Sequence, residues 1–367
     1  MGYQQPFMSI KAKHTWRHLL QRLCPKSQAP LLPHAMGSAP PASQPAPGSD
    51  FLRRLLTEDS GLTRVDDCAE TILTDLLYSR VPESSLELFE EWLGRDAALK
   101  QRFSSFTPLD RRKYTLRYGT WFLPNAFNPH TGLSRFEPPE HVHAMDRSAV
   151  HCGSFYYGDL LAWCLKTLDL RFEPGRSYLD FGCSSGRVLK TLTAAFPGAL
   201  FHGCDPVADT IAWAQKDNPA ARFTASGENP PLPYGAAAFD GIFAISIFSH
   251  FEKSAFRAWL GEMKRVLKPG GFLVFSTHGF GAIRFYFENR LMPENEAMAR
   301  MQALLLEGHA FDRAYTKGFW TLVSDSWGQA YYAPHFIVHR LLDGWRLRMY
   351  RSRIVERNQD LFVLEAC

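Results

Sequence analysis

The sequence contains no C-x-x-C pair, no long apolar run and little net charge, and each absence excludes a class of protein. The cysteines are odd in number and lack paired spacing, so we expect free thiols, a reducing compartment and a cytoplasmic location; they are Cys24, Cys68, Cys152, Cys164, Cys183, Cys204 and Cys367. This pattern argues against a disulfide framework and against a zinc site. No segment approaches the roughly 20 apolar residues of a membrane-spanning helix, which argues against a membrane span.

The first 49 residues contain no acidic residue at all, but five Lys or Arg. Residues 25–49 are rich in Pro, Ala, Ser and Gln, a composition that buries too little apolar surface to fold. We predict a disordered basic tail over residues 1–49, and favour a dispensable tail over a transit peptide or surface anchor because export signals are missing. From Asp50 onward 36 basic residues face 37 acidic ones, and this near-neutral balance argues against a nucleic-acid partner.

The remaining chain has ample material for a core, with 28 Phe, 9 Trp and 13 Tyr. Residues 50–150 are predicted to form an accessory region of helices and loops. Apolar residues at helical spacing predict a helix over 84–103 with Ser84 or Ser85 as N-cap. Residues 125–147 are dense in Pro, Gly and His, which predicts a loop on the next domain.

Four histidines fall within a short stretch of this accessory region: His130, His141, His143 and His151. His141 and His143 would share a face if the chain were extended. No carboxylate or cysteine stands at ligand-like spacing beside them, so we predict that the protein binds no metal there.

From residue 176 short apolar runs alternate with helical segments. This alternation predicts an α/β fold, a doubly wound and mostly parallel sheet. The last segments predict an antiparallel terminal hairpin, and residues 279–342 exceed a normal connection, so we expect them to form a cap. Residues 151–367 are therefore predicted to be one domain with a cap insertion.

The loop after the first strand, YLDFGCSSGRVL, admits three interpretations. As a G-x-G-x-x-G dinucleotide fingerprint it fails, because Ser184 and Arg187 replace the second and third glycines. As a G-x-S-x-G nucleophile elbow it fits at residues 182–186, which would make Ser184 the nucleophile of an α/β-hydrolase. That interpretation leaves Asp180 without a role.

The third interpretation is a nucleoside-type ligand held between two strand ends. Gly182 and Gly186 permit close backbone approach, and Asp205 closes the second strand, where a carboxylate can accept both hydroxyls of a ribose. Asp180 suits a cationic amino group. The alternative is that both aspartates merely cap the helices that follow them.

The segment D-F-G-C-S-S-G resembles the first motif of class I S-adenosylmethionine-dependent methyltransferases, acid-x-Gly-x-Gly-x-Gly, with Ser184 at the middle glycine. G-C-D-P resembles the ribose-binding acid of that family, and L-K-P-G-G resembles its turn before the fifth strand. The resemblance covers about residues 150–280. It implies a seven-stranded Rossmann-like sheet with S-adenosyl-L-methionine as cofactor, and the C-terminal segments resemble the small-molecule or sugar branch.

The resemblance also implies roles for individual residues. Cofactor-binding positions are expected at Asp180, Gly182, Cys183, Ser184, Gly186, Asp205, Pro206, Glu228, Asn229 and Ser246. His250 is the candidate general base, with a purely structural histidine as the alternative. Acceptor contacts are expected at Tyr156, Tyr157, Trp327, Tyr331 and Tyr332, with core packing as the alternative.

We therefore predict an S-adenosylmethionine-dependent methyltransferase that acts on an oxygen or nitrogen nucleophile of a small molecule or saccharide. The predicted partners are that acceptor and neither nucleic acid nor membrane. An α/β-hydrolase using Ser184 and a non-catalytic methyltransferase-like binding protein are the alternatives.

Overall fold

The structure is a computed structural model. It describes residues 49–58, 63–66, 70–139, 142, 147–313 and 326–367, with the backbone alone at 49 and 147–153. The helices are α1 Ser49–Thr57, α2 Ile72–Tyr78, α3 Glu83–Gly94, α4 Ala97–Ser104, α5 Pro108–Phe122, α6 Pro124–Thr131, α7 Arg147–Thr167, α8 Arg187–Ala195, α9 Ala208–Asp217, α10 Lys253–Val266, α11 Phe280–Glu288, α12 Glu294–Leu306 and α13 Pro334–Arg340. The strands are β1 Ser177–Phe181, β2 Leu200–Asp205, β3 Arg222–Ala225, β4 Phe239–Ala244, β5 Leu267–Thr277, β6 His309–Asp312, β7 Gln329–Tyr332, β8 Trp345–Val355 and β9 Gln359–Ala366.

Seven strands form one sheet in the order β3-β2-β1-β4-β5-β9-β8. The first five are parallel to one another, and β9 is antiparallel to both of its neighbours. The chain order reverses between β1 and β4, the position where an open α/β sheet leaves a crevice at its carboxyl edge. The predicted doubly wound sheet of seven strands with a terminal hairpin is confirmed.

The sheet is buried on both faces because its central strands are nearly continuous apolar runs. Tyr178 and Phe243 face one core, which helices α2–α8 cover. Leu179 and Ile242, one residue along in each strand, face a second core, which α10 and α13 cover. Alternate side chains of one strand thus hold two helical layers in place.

The accessory helices share the first of these cores with the sheet. Two polar contacts fix their position. The Asp159 carboxylate on α7 accepts from the Thr74 amide at 2.8 Å and the Thr74 hydroxyl at 2.6 Å. The Arg80 guanidinium donates to the carbonyls of Ala194 and Ala195 at 2.6 and 2.7 Å, which satisfies orphan acceptors at the end of α8. The boundary predicted at residue 150 stays a prediction.

Two local expectations in this region were wrong. The stretch 84–103 is two helices, and α3 begins after Pro82 instead of a serine cap. Asp96 divides the stretch because its carboxylate accepts from the amides of Ala98 and Leu99, at 3.0 Å each, and so starts α4. The start of the predicted loop 125–147 is helical, since α6 runs to Thr131 and ends at a left-handed Gly132.

The segment predicted as a cap contains α11, α12, the β6–β7 pair and α13. Leu55 and Leu56 of α1 pack with α11 and α12 in a third apolar cluster. Residues 1–48, predicted as a tail, lie outside the described part of the chain, as do residues 314–325 of the cap. Among the helices described, none combines the length and apolar character needed to cross a bilayer.

Candidate functional site

A cavity of about 300 Å³ opens at the carboxyl edge of the sheet, where the strand order reverses. The loops after β1, β2, β3 and β4 form one end of it, which we call the strand-tip end. The other end, the histidine end, is formed by residues after β4 and β5 and by the segment around β7. Eleven of the residues singled out in the sequence line this cavity: Asp180, Gly182, Cys183, Ser184, Asp205, Pro206, Glu228, Ser246, His250, Tyr157 and Trp327.

Asp205 is held at the end of β2 by two backbone amides. One carboxylate oxygen accepts from the Ser184 amide and the other from the Val207 amide, both at 3.0 Å. The side chain therefore connects the loop after β1 to the residue that precedes α9. Burial raises the pKa of Asp205, and the two amides oppose that shift. Each oxygen keeps a further lone pair for a hydroxyl donor.

Asp180 at the end of β1 is buried, with 7% of its surface exposed, and it lines the cavity. It does not cap α8, which begins at Gly186 without a side-chain hydrogen bond. Burial raises the pKa of Asp180 to about 8, against the pull of Arg187 and with a contribution from Asp205. A buried carboxyl group in this state favours a cationic ligand, which would restore its ionised form.

The residue between these aspartates that lines the cavity with its backbone, Gly182, has no room for a side chain. Gly182 has a φ of 78°, and a Cβ built there would lie 2.2 Å from Ile247 Cδ1. Ser184 follows in the same loop with a φ of 48°, so the turn is left-handed at both positions. Among the described residues the Ser184 hydroxyl has no hydrogen-bond partner, and a nucleophile elbow needs a histidine there.

Ser246, directly beyond β4, is fixed by a chain of neutral groups. Its amide donates to Ser276 Oγ at 2.8 Å, and Ser276 Oγ donates to Gln359 Oε1 at 2.7 Å. Gln359 Nε2 in turn donates to Ser246 Oγ at 2.7 Å. Ser246 has a φ of 61°, and this closed network stabilises that conformation. Gln359 lines the cavity, because the antiparallel β9 begins at the edge where the parallel strands end.

His250 lies at the histidine end, stacked on Trp327 with ring centroids 4.6 Å apart. Its Nδ1 is 2.8 Å from the carbonyl oxygen of Gly328. A carbonyl can only accept, so Nδ1 carries the proton and Nε2 is the basic nitrogen. Burial lowers the pKa of His250 to about 4, with the Gly328 contact opposing that shift. The ring is therefore a neutral base at physiological pH.

His278 and Tyr286 also line this end, and the sequence analysis missed both. His278 follows β5, so its place at a strand end was a usable signal, whereas nothing in the sequence marks Tyr286. His278 Nδ1 is 3.2 Å from the carbonyl oxygen of Ala330, and Nε2 is 3.3 Å from Tyr286 Oη. Burial lowers the pKa of His278 to about 3, chiefly by desolvation and further by His250.

Five predicted site residues do not line the cavity, and Gly186 and Tyr156 among them have a clear structural role. Gly186 starts α8 with a φ of 75°, and Asn229 is exposed. Tyr156 Oη donates to the Ile354 carbonyl at 2.7 Å and accepts from the Glu356 amide at 2.9 Å, which holds the β8–β9 turn.

Tyr331 and Tyr332 are the other two residues that do not line the cavity, and both are buried in the core. Their rings belong to the third and second apolar clusters respectively. Tyr332 Oη donates to the Phe251 carbonyl at 2.9 Å. Successive residues of a strand face opposite sides, so these two tyrosines serve two different cores.

The predicted absence of metal stays a prediction. Within the described ranges no three His, Cys, Asp or Glu side chains are grouped to hold an ion. His141, His143 and the side chain of His151 lie outside those ranges.

Comparison with known proteins gives a direct family assignment for the strand-tip end. Residues 179–275 match the family described as "Methyltransferase domain". This range runs from β1 to β5 and so contains Asp180, Asp205, Ser246 and His250. Residues 179–275 are thus identified as a methyltransferase domain of that family. The cofactor that this match implies is S-adenosyl-L-methionine.

Curated relatives match part of this chain. Malonyl-acyl-carrier protein O-methyltransferase of Herminiimonas arsenicoxydans is 29% identical over 147 residues, 40% of this chain and 53% of the relative. Squalene methyltransferase 2 of Botryococcus braunii is 33% identical over 122 residues, 32% and 31% of the two chains. Demethylmenaquinone methyltransferase of Thermus thermophilus is 31% identical over 152 residues, 37% and 66% of the two chains. The matched part of the chain thus spans 31% to 66% of the length of these relatives.

The residues at the strand-tip end fit the cofactor on two structural grounds. Asp180 is a buried carboxyl group without a hydrogen-bond partner among the described residues, and it faces the cavity. Gly182 brings the backbone to the cavity wall, and Ile247 leaves no room for a side chain there. Asp205 adds two oxygens with spare lone pairs on the opposite side of the loop. An amino group, a ribose and a close backbone contact can all be satisfied there.

Proposed function

We propose that this methyltransferase transfers a methyl group to an oxygen or nitrogen nucleophile of a small molecule or saccharide. The observation that carries the proposal is that one cavity contains both Asp180, which suits a cation, and His250, a neutral base. The printed names of two relatives support the small-molecule part of this proposal, since squalene and demethylmenaquinone are small molecules.

Asp180, Asp205, Glu228 and Ser246 orient the cofactor in this proposal. Asp180 binds the amino group, Asp205 the ribose hydroxyls, Glu228 the adenine edge and Ser246 the methionine end. When bound, the cofactor supplies an activated methyl group on a positively charged sulfur. The protein's main contribution is then alignment of acceptor and methyl group, which alone can lower a barrier by several kcal/mol.

His250 acts as the general base at the histidine end. The acceptor hydroxyl or amine gives its proton to Nε2, and the Gly328 carbonyl holds Nδ1–H so that the ring keeps the correct tautomer. Stacking on Trp327 fixes the plane of the ring. Tyr157 belongs to the opposite wall, where Arg187 lies 4.8 Å over its ring and its hydroxyl donates to Glu356.

Calorimetric titration with S-adenosylhomocysteine tests the cofactor assignment. We expect micromolar-range binding by the intact chain and loss of most of it in Asp205→Ala. The matched control is Asp240→Ala, which removes an aspartate at the opposite edge of the sheet, where Arg176 and Lys268 bind it. Absence of binding by the intact chain, or equal loss in both variants, would contradict the proposal.

A screen of acceptor classes with methyl-labelled S-adenosylmethionine tests the transfer step. Phenols, quinols, sugars and amines are compared, with label in the acceptor as the readout. The proposal is overturned if the chain binds the cofactor but labels none of these classes.

A further inference from the structure

Gln359 lines the cavity but has no part in the proposed transfer step. It is the first residue of β9, and it reaches the site because β9 runs antiparallel to β5. Its side chain is 5% exposed and contacts two serines, Ser276 Oγ through Oε1 and Ser246 Oγ through Nε2, both at 2.7 Å. The Ser246 amide donates to Ser276 Oγ at 2.8 Å, so the three residues form a closed ring of hydrogen bonds.

The direction of each hydrogen bond in this ring can be assigned. An amide N–H only donates, so Ser276 Oγ accepts from Ser246 and gives its own proton to Gln359 Oε1. If the Gln359 amide were turned over, that proton would have no acceptor among the described residues, and Ser276 is completely buried. The orientation with Nε2 toward Ser246 Oγ is therefore the one that satisfies the ring.

This orientation determines what the Ser246 hydroxyl can do. Its oxygen accepts from Gln359 Nε2, and its proton has no acceptor within the described part of the chain. Because the lone pair that faces Gln359 is occupied, the proton points away from the ring. Ser246 lines the cavity, so its hydroxyl is a donor that a ligand in the cavity can use.

The chemistry of the methyl donor decides which of its groups this hydroxyl fits. The proposed function places the methionine end of the cofactor at Ser246. That end has an ammonium group that only donates hydrogen bonds, a positively charged sulfur, and a carboxylate that only accepts. A donor hydroxyl fits the carboxylate and neither of the other two groups. A hydrogen bond to an ionised group is also stronger than one between neutral groups.

We propose that Gln359 is a positioning residue that makes Ser246 a hydrogen-bond donor to the carboxylate of the methyl donor. The inference rests on the proposed function, in which Ser246 contacts the methionine end. Gln359 acts through Ser246, and together the two residues make the protein select ligands that have the carboxylate.

The test compares two ligands that differ only in that carboxylate, by calorimetric titration of the full chain. They are S-adenosylhomocysteine and decarboxylated S-adenosylhomocysteine, the analogue. We expect the wild type to bind S-adenosylhomocysteine about tenfold to a hundredfold more tightly, the effect of one hydrogen bond to a charged group. Gln359→Met keeps the length of the side chain but bonds neither serine. Its preference should fall to about threefold or less, with binding of the analogue unchanged.

Two further variants show whether Gln359 acts through Ser246. Ser246→Ala removes the donor, so it should lose the preference as well. The double variant, Gln359→Met with Ser246→Ala, should then lose no more than Ser246→Ala alone. A purely structural role of Gln359 would weaken binding of both ligands and would leave their ratio unchanged.

Gln215→Met is the matched control. Both ends of the Gln215 amide are also bonded, since Nε2 donates to the Ala221 carbonyl at 3.2 Å and Oε1 accepts from the Phe223 amide at 3.0 Å, but this residue does not line the cavity. The control should keep the wild-type preference. Binding of the analogue shows that each variant is folded. If Gln359→Met fails this check, Gln359→Glu replaces it, because its second carboxylate oxygen accepts the Ser246 proton and leaves no donor.

The proposal is overturned if the wild type binds the two ligands equally, if the Gln359 variant keeps the wild-type preference, or if the double variant loses clearly more than Ser246→Ala. If the wild type binds neither ligand, the cofactor assignment fails and the proposal fails with it. Binding of both ligands without preference overturns the proposal alone, so the two failures are distinguishable.

Discussion

The two ends of the cavity differ in the ionisable groups that line them. The strand-tip end contains Asp180, Asp205 and Glu228, with Arg187 beside them. The histidine end is formed by His250 and His278, both neutral because burial lowers the pKa of each. Carboxyl groups thus lie at the end proposed to bind a cationic group, and neutral imidazoles lie at the end where the proposed nucleophile loses its proton.

The two ends also differ in how the chain assembles them. The strand-tip end comes from the loops after β1, β2, β3 and β4, and each loop contributes only a few residues. The histidine end joins the ends of β4 and β5 with α11 and β7, segments about 80 residues apart. A local motif therefore describes the first end, whereas only the tertiary fold describes the second.

The largest expected effect is at the histidine end. His250→Asn removes the proposed base, and we expect kcat to fall about 10²–10⁴-fold with S-adenosylhomocysteine binding unchanged. In the wild type the rate should not fall with decreasing pH until pH approaches about 4, because the pKa of His250 lies there. Label transfer to the acceptor found in the screen gives both measurements. His309→Asn, outside the cavity lining, is the control.

At the strand-tip end, Gly182→Ala places a methyl group against Ile247 at a left-handed position. We expect the free energy of unfolding to fall by about 3 kcal/mol and cofactor-product binding to be lost. Gly270→Ala is the matched control, because its φ is 73° but nothing lies within 4 Å of its Cβ. It should cost about 1 kcal/mol and leave binding intact. Equal effects in both would mean that the cavity does not approach Gly182.

A smaller effect is the release of a proton on ligand binding, which we expect from Asp180 at the strand-tip end. With a pKa of about 8, the carboxyl group is mostly protonated at pH 7. A cationic ligand lowers that pKa, so binding of S-adenosylmethionine at pH 7 should release close to one proton. Calorimetry in buffers of different ionisation enthalpy measures this number. Asp180→Asn should release none, and an unchanged value would assign the proton to another group.

The smallest expected effect tests whether Tyr332 serves the core and not the acceptor. Tyr332→Phe removes the hydrogen bond to the Phe251 carbonyl, so thermal unfolding should show a loss of about 1 kcal/mol. Acceptor KM and kcat should stay within twofold of the wild type. A large rise in KM would indicate that Tyr332 contacts the acceptor after all.

The sequence was most informative where local pattern determines structure. Alternating strands and helices predicted the sheet, and a short loop pattern singled out Asp180 and Asp205. It was least informative where proximity depends on register. Tyr331 and Tyr332 are neighbours in β7, yet they face two different cores because successive side chains of a strand point to opposite sides. Gln359 was missed because an antiparallel strand brings its first residue, not its last, to the edge of the site.

The backbone at Gly328 and Ala330 orients both imidazole rings. The positions of the two rings therefore depend on the length of the chain before Gly328 as well as on its side chains. Inserting or deleting a single amino acid just before Gly328 would shift both anchoring carbonyls together and re-aim two rings in one step. Insertions and deletions in this stretch would therefore change which compound is methylated, while the residues proposed to bind the methyl donor stay the same.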